Sequence, residues 1–214
     1  AADTLMRNLD AEALAEPKLL RFKSGRRTQS WSRNCIALGL SSGFLEPLES
    51  TSIYLVQVGL MNFVQLFPGK RVDPRLADEF NRRADMEYDR VRDFLILHYH
   101  LTSRDDSELW KYCRNMDVPE TLQEKMRLFR HRGYIEKYKD GLFSPPSWLS
   151  VFLGQGLRPE HYHPVAENLP MERLVANLEA LRGNIAAITE KMPSHADFVE
   201  RYCASGGDAL IIMM

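Results

Sequence analysis

The chain has 214 residues, of which 44% are hydrophobic and 27% are charged, and its formal net charge is −1. This length allows one domain or two small ones with an ordinary core, and the near-neutral charge gives no reason to expect nucleic acid or an acidic membrane as a partner. The three cysteines are widely spaced and form no CxxC pair, which is typical of a reducing compartment, so we expect a cytoplasmic protein.

The first third of the chain predicts one short helix and two strands. Apolar spacing indicates a helix over Ala1–Leu14, and Leu19–Lys23 and Trp31–Leu38 follow as strand candidates. The second candidate contains the continuous apolar run Cys35–Leu38, which is typical of a strand buried on both faces. Two strands alone make a poor sheet, so we expect their partners to lie outside this sequence.

The rest of the chain predicts helices. Thr51–Phe67 is apolar nearly all round, which indicates a core helix, and it is too short and too polar for a bilayer span of about 20 residues. Asp73 and Pro74 are suited to begin the next helix as its N-cap and first residue. Further helices are predicted over residues 107–116, 119–132, 148–153 and 171–190 and after Ser194, and the apolar run 209–214 is predicted to be a frayed end. The fold is therefore expected to be mainly α-helical with a few short strands.

The densest chemistry lies in Asn34–Ser52, between the second strand and the apolar helix. Glycines and hydroxyl residues come first, then Glu46 and Glu49 on either side of Pro47, then three hydroxyl residues in a row. Each carboxylate can serve a helix N-terminus through the macrodipole, or act as an acid or base beside a ligand loop. Thr51 and Ser52 can cap the helix, or bind an anion through free N–H groups.

The remaining candidates favour structural roles. His98 and His100 are two residues apart on a helix and point to nearly opposite sides, and the pair His161 and His163 lacks a third ligand, so no metal site is predicted. Trp148 is more often a core aromatic than a stacking surface. Neither a G-x-G-x-x-G motif nor a Walker loop is present.

Several stretches together resemble the flavin-dependent tryptophan halogenase family. The longest is Gly39–Thr51, G-L-S-S-G-F-L-E-P-L-E-S-T, and it is preceded by Gly25–Arg27 and Trp31–Cys35. Downstream, Ser147-Trp148 with G-Q-G at 154–156, P-x-x-Y-H-P at 159–164 and M-P-S-H-A-D at 192–197 are similar to the family's C-terminal region.

The resemblance implies an enzyme that takes reduced FAD from a partner flavin reductase. Such enzymes use O₂ and chloride or bromide to form hypohalous acid, which passes to a lysine beside the substrate. Electrophilic halogenation of an indole-like or tryptophan-like ring follows. The fold implied is the helical, substrate-side portion of an FAD-binding α/β protein of the flavin monooxygenase type, and a homodimer is also allowed.

Site residues follow from the same resemblance. Glu49 matches the glutamate at the reaction site, and Thr51 and Ser52 match the halide-binding pair, where the family often has glycine at the second position. Trp148 and Ser50 match substrate-binding positions. The residues that match the flavin-binding segment are Leu40, Ser41, Ser42, Gly43 and Ile53.

Three family features have no counterpart in this sequence: the dinucleotide-binding glycine motif, the W-x-W-x-I-P signature and the catalytic lysine. Lys18, Lys23 and Lys70 stand in other contexts. We therefore expect a C-terminal part of a halogenase whose Rossmann half is missing and which is inactive alone. Residues 1–52 would end the flavin-domain sheet and carry the halide and flavin loop, and residues 53–214 would form the helical substrate side. The alternatives are a non-catalytic helical binding module and a hydroxylating flavin monooxygenase.

Overall fold

A computed structural model describes residues 2–139 and 141–203, and the predicted frayed end at 209–214 lies outside them. The chain divides into two compact units, residues 1–161 and 162–214. The predicted division into a flavin-side part, residues 1–52, and a substrate-side part, residues 53–214, concerns function rather than compactness, and it stays a prediction. Within the described residues, no helix combines the length and apolar character needed to cross a membrane.

The first unit contains four very short strands and six α-helices within its described residues. The strands are β1 (Gly25–Arg26), β2 (Trp31–Ser32), β3 (Cys35–Ile36) and β4 (Gly43–Phe44). The helices are α1 (Ala2–Arg7), α2 (Ser52–Gln65), α3 (Pro74–His100), α4 (Glu108–Asn115), α5 (Glu120–Arg132) and α6 (Pro145–Gly154). The mainly helical fold class is confirmed.

Helix α3 is the longest element of the first unit, and four other helices of that unit pack against it. Asp73 caps its N-terminus by accepting a hydrogen bond of 2.9 Å from the Arg75 backbone N–H, and Pro74 is its first residue, as expected. Its buried apolar side chains recur at helical spacing and contact α2, α4, α5 and α6. The core cluster consists of Phe94, Leu97, Val118, Leu122, Phe129, Trp148, Phe152 and Leu157.

The strands pair in two antiparallel ladders, β1 with β4 and β2 with β3. Gly43 pairs with Arg26 so closely that a Cβ atom at position 43 would lie 2.8 Å from the Arg26 Cα, which explains why the position is glycine. Trp31 fixes the second ladder to α3, because its backbone N–H and C=O both bond to the Asn81 side chain at 2.8 and 2.9 Å.

Three secondary-structure predictions near the start are wrong. Leu19–Lys23 forms no strand, because no neighbouring strand offers it a ladder, and its apolar side chains are exposed. Trp31–Leu38 is a tight hairpin rather than one buried strand, and Cys35 is exposed. The first helix ends at Arg7 instead of Leu14.

The prediction of a fully buried core helix after Thr51 is also wrong in part. The helix itself is present as α2, but none of its residues is buried. One side packs against α3 and the turn Gly39–Ser41, while Ile53, Met61 and Val64 on the other side are between 61% and 73% exposed. Apolar residues on both faces of α2 therefore did not mean that the helix is enclosed by the described part of the chain.

The second unit contains, in its described part, a 3-10 turn and two helices. The turn is Pro164–Asn168, and α7 (Met171–Glu190) and α8 (His195–Tyr202) follow it. Ser194 caps α8 by accepting a hydrogen bond of 3.2 Å from the Asp197 backbone N–H. Both helices agree with the sequence pattern.

Candidate active site

The loop that precedes α2 holds two non-glycine residues in the left-handed backbone region. Glu49 has a φ of 64° and Ser50 a φ of 50°, and the Ser50 N–H closes the turn on the Pro47 carbonyl at 3.0 Å. Each such residue costs on the order of 1–2 kcal/mol, so the conformation persists only where the surroundings fix it. Strain of this kind is concentrated at functional sites, which makes the loop a candidate.

The Glu49 side chain contacts α3 and lines a cavity. Its Oε1 lies 3.1 Å from His98 Nε2, and the two side chains are 38% and 17% exposed. The cavity has a volume of about 430 Å³ and is lined by apolar and hydroxyl-bearing side chains. Its lining residues are Glu49, Phe94, Leu142, Phe143, Ser147, Ser150 and Val151. A single carboxyl group thus lies at the edge of an aromatic cavity.

The start of α2 follows directly after this carboxylate. Thr51 occupies the N-cap position and is only 2% exposed, and its side chain makes no capping hydrogen bond. The N–H groups in the first turn of an α-helix have no carbonyl partner within the helix and carry its positive dipole end. Thr51 and Ser52 therefore bring an anion-attracting helix start within two to three residues of Glu49.

Glu46 is turned to a different neighbour. Its Oε2 accepts a hydrogen bond of 2.6 Å from the Tyr99 hydroxyl, and this bond raises the pKa of Tyr99 to about 12. Its other oxygen, Oε1, is buried and has no hydrogen-bond donor among the described residues. The two carboxylates of the loop thus differ, because only Glu49 lines the cavity.

Four of the five predicted flavin-binding residues line one groove. Leu40, Ser41, Ser42 and Gly43 line a groove of about 820 Å³ together with Phe44, Leu20 and residues 22–27. Leu40 is 74% exposed although it is apolar, whereas Ser42 is buried and its hydroxyl lies 2.8 Å from the Tyr88 hydroxyl. The fifth residue, Ile53, lies on the exposed face of α2 and does not line the groove.

Trp148 lies in the core, behind the Glu49 cavity. It is 2% exposed, its ring meets Phe94 edge to face at 4.9 Å, and its indole N–H has no partner among the described residues. It lines a second cavity of about 420 Å³ with Lys125 and Tyr138, while its neighbour Ser147 lines the first. The substrate-binding role assigned to Trp148 stays a prediction.

Sequence reasoning did not identify His98 as a partner of Glu49. The two residues are 49 positions apart, and their contact depends on the angle at which the strained loop meets α3. The sequence places His98 four residues after Phe94, on the buried side of a helix, which by itself favours a packing role. No local pattern could have joined them.

Comparison with known proteins gives one family. The sequence model of the tryptophan halogenase family matches residues 1–171. Among curated proteins, the tryptophan 7-halogenase KtzQ of Kutzneria sp. (strain 744) is 34% identical over 94% of this chain. That match covers 40% of the Kutzneria protein, so the chain spans about two fifths of the length of this relative.

Solved structures agree with the sequence comparison. A flavin-dependent halogenase from Xanthomonas campestris superimposes with a TM-score of 0.90 and 43% identity, over 97% of this chain and 42% of that one. BrvH, a flavin-dependent halogenase from Brevundimonas sp. BAL3, gives a TM-score of 0.86 and 44% identity, over 94% and 41% of the two chains. The described fold is therefore similar to part of each of these larger proteins.

Proposed function

The chain belongs to the tryptophan halogenase family, and from this premise we propose that it supplies the glutamate side of a flavin-dependent halogenase active site. The observation that carries the proposal is the position of Glu49, at the edge of an aromatic cavity and directly before a helix N-terminus. In halogenation of an aromatic ring, the carboxylate would stabilise the ring cation, the helix start would hold the halide, and the apolar cavity would bind the ring.

Residues 40–43 fit a flavin along one side. Leu40 offers an exposed apolar side chain, and Ser41 and Gly43 lie beside it in the groove of about 820 Å³. When a flat aromatic ring system packs against such a surface, apolar area is removed from water, which lowers the free energy of the complex. Ile53, at 73% exposed, extends the apolar surface onto α2. We propose that these residues contact one side of FAD and that reduced FAD comes from a partner flavin reductase, with the rest of the cofactor held outside this chain.

Thr51 and Ser52 are proposed to hold the halide. Their N–H groups lie at the start of α2, where an anion is stabilised by unpaired donors and by the helix dipole. Ser52 offers the same backbone donor that glycine would offer at that position.

The substrate class we propose is an indole-like aromatic ring, bound in the cavity beside Glu49. Phe94 and Phe143, whose rings stack at 3.8 Å, provide an apolar wall, and Ser147 and Ser150 provide hydroxyl groups that can orient a polar substituent. Ser50 lies next to Glu49 in the chain and is proposed to contact the substrate through the same loop. Trp148 would shape the cavity from behind.

In the proposed mechanism, bound reduced FAD with O₂ and halide supplies the electrophilic halogen, and the lysine implied by the resemblance comes from outside this chain. Glu49 acts on the ring. Its negative charge stabilises the cation that forms when the halogen adds to carbon. The C–H bond at that carbon then breaks, its electron pair returns to the ring, and the proton moves to a Glu49 oxygen.

A chimera tests the proposal. This chain would replace the matching 42% of the Xanthomonas campestris halogenase, and indole would be supplied with bromide, O₂, FAD and a flavin reductase. We expect bromoindole from the chimera and from the unmodified Xanthomonas protein, and none from the isolated chain. Bromination by the isolated chain would contradict the proposal that the site is completed from outside. A hydroxylated product, independent of halide, would favour the monooxygenase alternative.

A further inference from the structure

His98 contacts Glu49, although no motif assigns it to the site. We propose that His98 is a positioning residue that holds the Glu49 carboxyl group in place through direct contact with it. The proposal rests on the proposed function of Glu49, because His98 itself does not line the cavity. The contact that carries it joins His98 Nε2 and Glu49 Oε1 at 3.1 Å.

The His98 ring is held on two sides before it meets Glu49. Its Nδ1 lies 2.8 Å from the Phe94 backbone carbonyl, one helical turn earlier. A carbonyl oxygen can only accept, so Nδ1 must carry a hydrogen and donate it. The Phe94 ring also meets the imidazole edge to face at 4.8 Å. These contacts fix the ring plane and direct Nε2 toward the loop.

The contact uses one carboxyl oxygen and leaves the other for the substrate. Among the described residues, His98 is the side chain that lies against a Glu49 carboxyl oxygen, and it contacts Oε1 at 3.1 Å. Glu49 is on a strained loop and is 38% exposed, so without His98 its carboxyl group would be free to turn toward water. A carboxylate that is already fixed beside the cavity loses no orientation entropy when the ring cation forms. Positioning by His98 would therefore lower the barrier to that step and raise kcat.

Isolated-chain NMR tests the pairing without any activity. The chain would be labelled with ¹⁵N-histidine, and the His98 signals would be assigned by their loss in His98→Gln. We expect a hydrogen-bearing Nδ1 in the wild type and in Glu49→Gln. We expect the Nε2 shift to change in Glu49→Gln, because the carboxyl oxygen 3.1 Å from Nε2 is replaced by part of a neutral amide. An Nε2 shift unchanged by Glu49→Gln would overturn the pairing.

Activity of the chimera tests the positioning role. We expect His98→Leu to lower kcat for indole bromination about 10- to 100-fold with KM changed less than about 3-fold, since the cavity itself is intact. His98→Gln should recover most of kcat, because its amide can still reach and contact Oε1, whereas His98→Asn is too short and should not. His100→Ala is the matched control and should keep the parent rate, because His100 contacts the Cys113 carbonyl instead.

Two results would contradict the positioning role: a kcat for His98→Leu within about twofold of the parent, or equal losses in His98→Gln and His98→Leu. Equal losses would point to packing alone. Failure of the proposed function is distinguishable, because a chimera that makes no bromoindole would refute that function, while the NMR experiment still decides whether His98 and Glu49 are in contact.

Discussion

Two parts of the first unit contain the same kinds of side chain but bury them very differently. In the core formed by α3, α5 and α6, Leu97, Leu122 and Phe129 are at most 1% exposed. On the surface formed by the flavin-matching loop and α2, Leu40, Ile53 and Phe67 are between 66% and 74% exposed. The helical core is thus complete within the chain. The loop and α2 present an apolar surface, part of which we propose contacts FAD.

The largest expected effect distinguishes these two regions through a pair of phenylalanines. Phe129→Ala should lower the free energy of unfolding by about 3–5 kcal/mol, because it removes a buried ring that stacks on Phe152 at 4.2 Å. Phe67→Ala, at an exposed position, should lower it by less than about 1 kcal/mol. Urea denaturation of the isolated chain measures both. Equal losses would contradict the contrast between the two regions.

A buried ion pair should give the next largest effect. Asp93 is 2% exposed and meets Arg92 at 2.8 Å and Lys125 at 3.0 Å. Asp93→Asn should destabilise the chain by about 3 kcal/mol, because the Lys125 ammonium would remain largely buried without a countercharge. The control is Asp106→Asn, whose pair with Arg104 is solvent-exposed, and it should cost much less stability than Asp93→Asn. A small loss at Asp93 would mean that water reaches this pair.

The helices were predictable because each carries its own signals. Asp73 and Pro74 indicate the start of α3 as its N-cap and first residue. Gly133, with a φ of 68°, ends α5 as a left-handed C-cap. The strands were not predictable, because two-residue strands are too short to show an alternating pattern, and β1 pairs with β4 from a separate part of the chain. The Asn81 amide that holds Trp31 is 50 residues away from it, and no local pattern indicates that bond.

For the site, the residues could be predicted from the sequence, but their conformation and contacts could not. The resemblance drew attention to Glu49, Thr51 and Ser52, and the structure brings a helix start and a cavity to that carboxylate. The left-handed conformation of Glu49 and its contact with His98 could not be read from the sequence, since both depend on how the loop meets α3. Neither glutamate nor serine favours that conformation by itself.

A smaller effect, of opposite sign, is expected in the strained loop. Ser50→Gly should raise the free energy of unfolding by about 0.5–1 kcal/mol, because glycine adopts a φ of 50° without steric cost. Ser150→Gly is the matched control within α6, where glycine should lower stability by about the same amount. If Ser50→Gly also destabilises the chain, the serine side chain contributes more than the backbone strain costs.

The smallest effect expected is a pH dependence from Tyr99. Its hydrogen bond to Glu46 raises its pKa to about 12, from about 10 in an unfolded chain. The folded state therefore binds this proton more tightly, and the stability it contributes is present below pH 10 and is lost as the pH rises toward 12. Tyrosinate absorbance of the wild type minus that of Tyr99→Phe should show a midpoint near pH 12. Glu46→Gln should lower that midpoint, and a midpoint near pH 10 in the wild type would contradict the bond.

The most direct test of the central claim is the bromination rate of the chimera after Glu49→Gln. This change keeps the size of the side chain but removes the charge and the base, so we expect kcat to fall at least about 100-fold. Glu108→Gln, in the surface pair with Lys111, should leave the rate unchanged. A Glu49→Gln rate within about twofold of the parent would show that the carboxylate at the cavity edge is not the working group of this site.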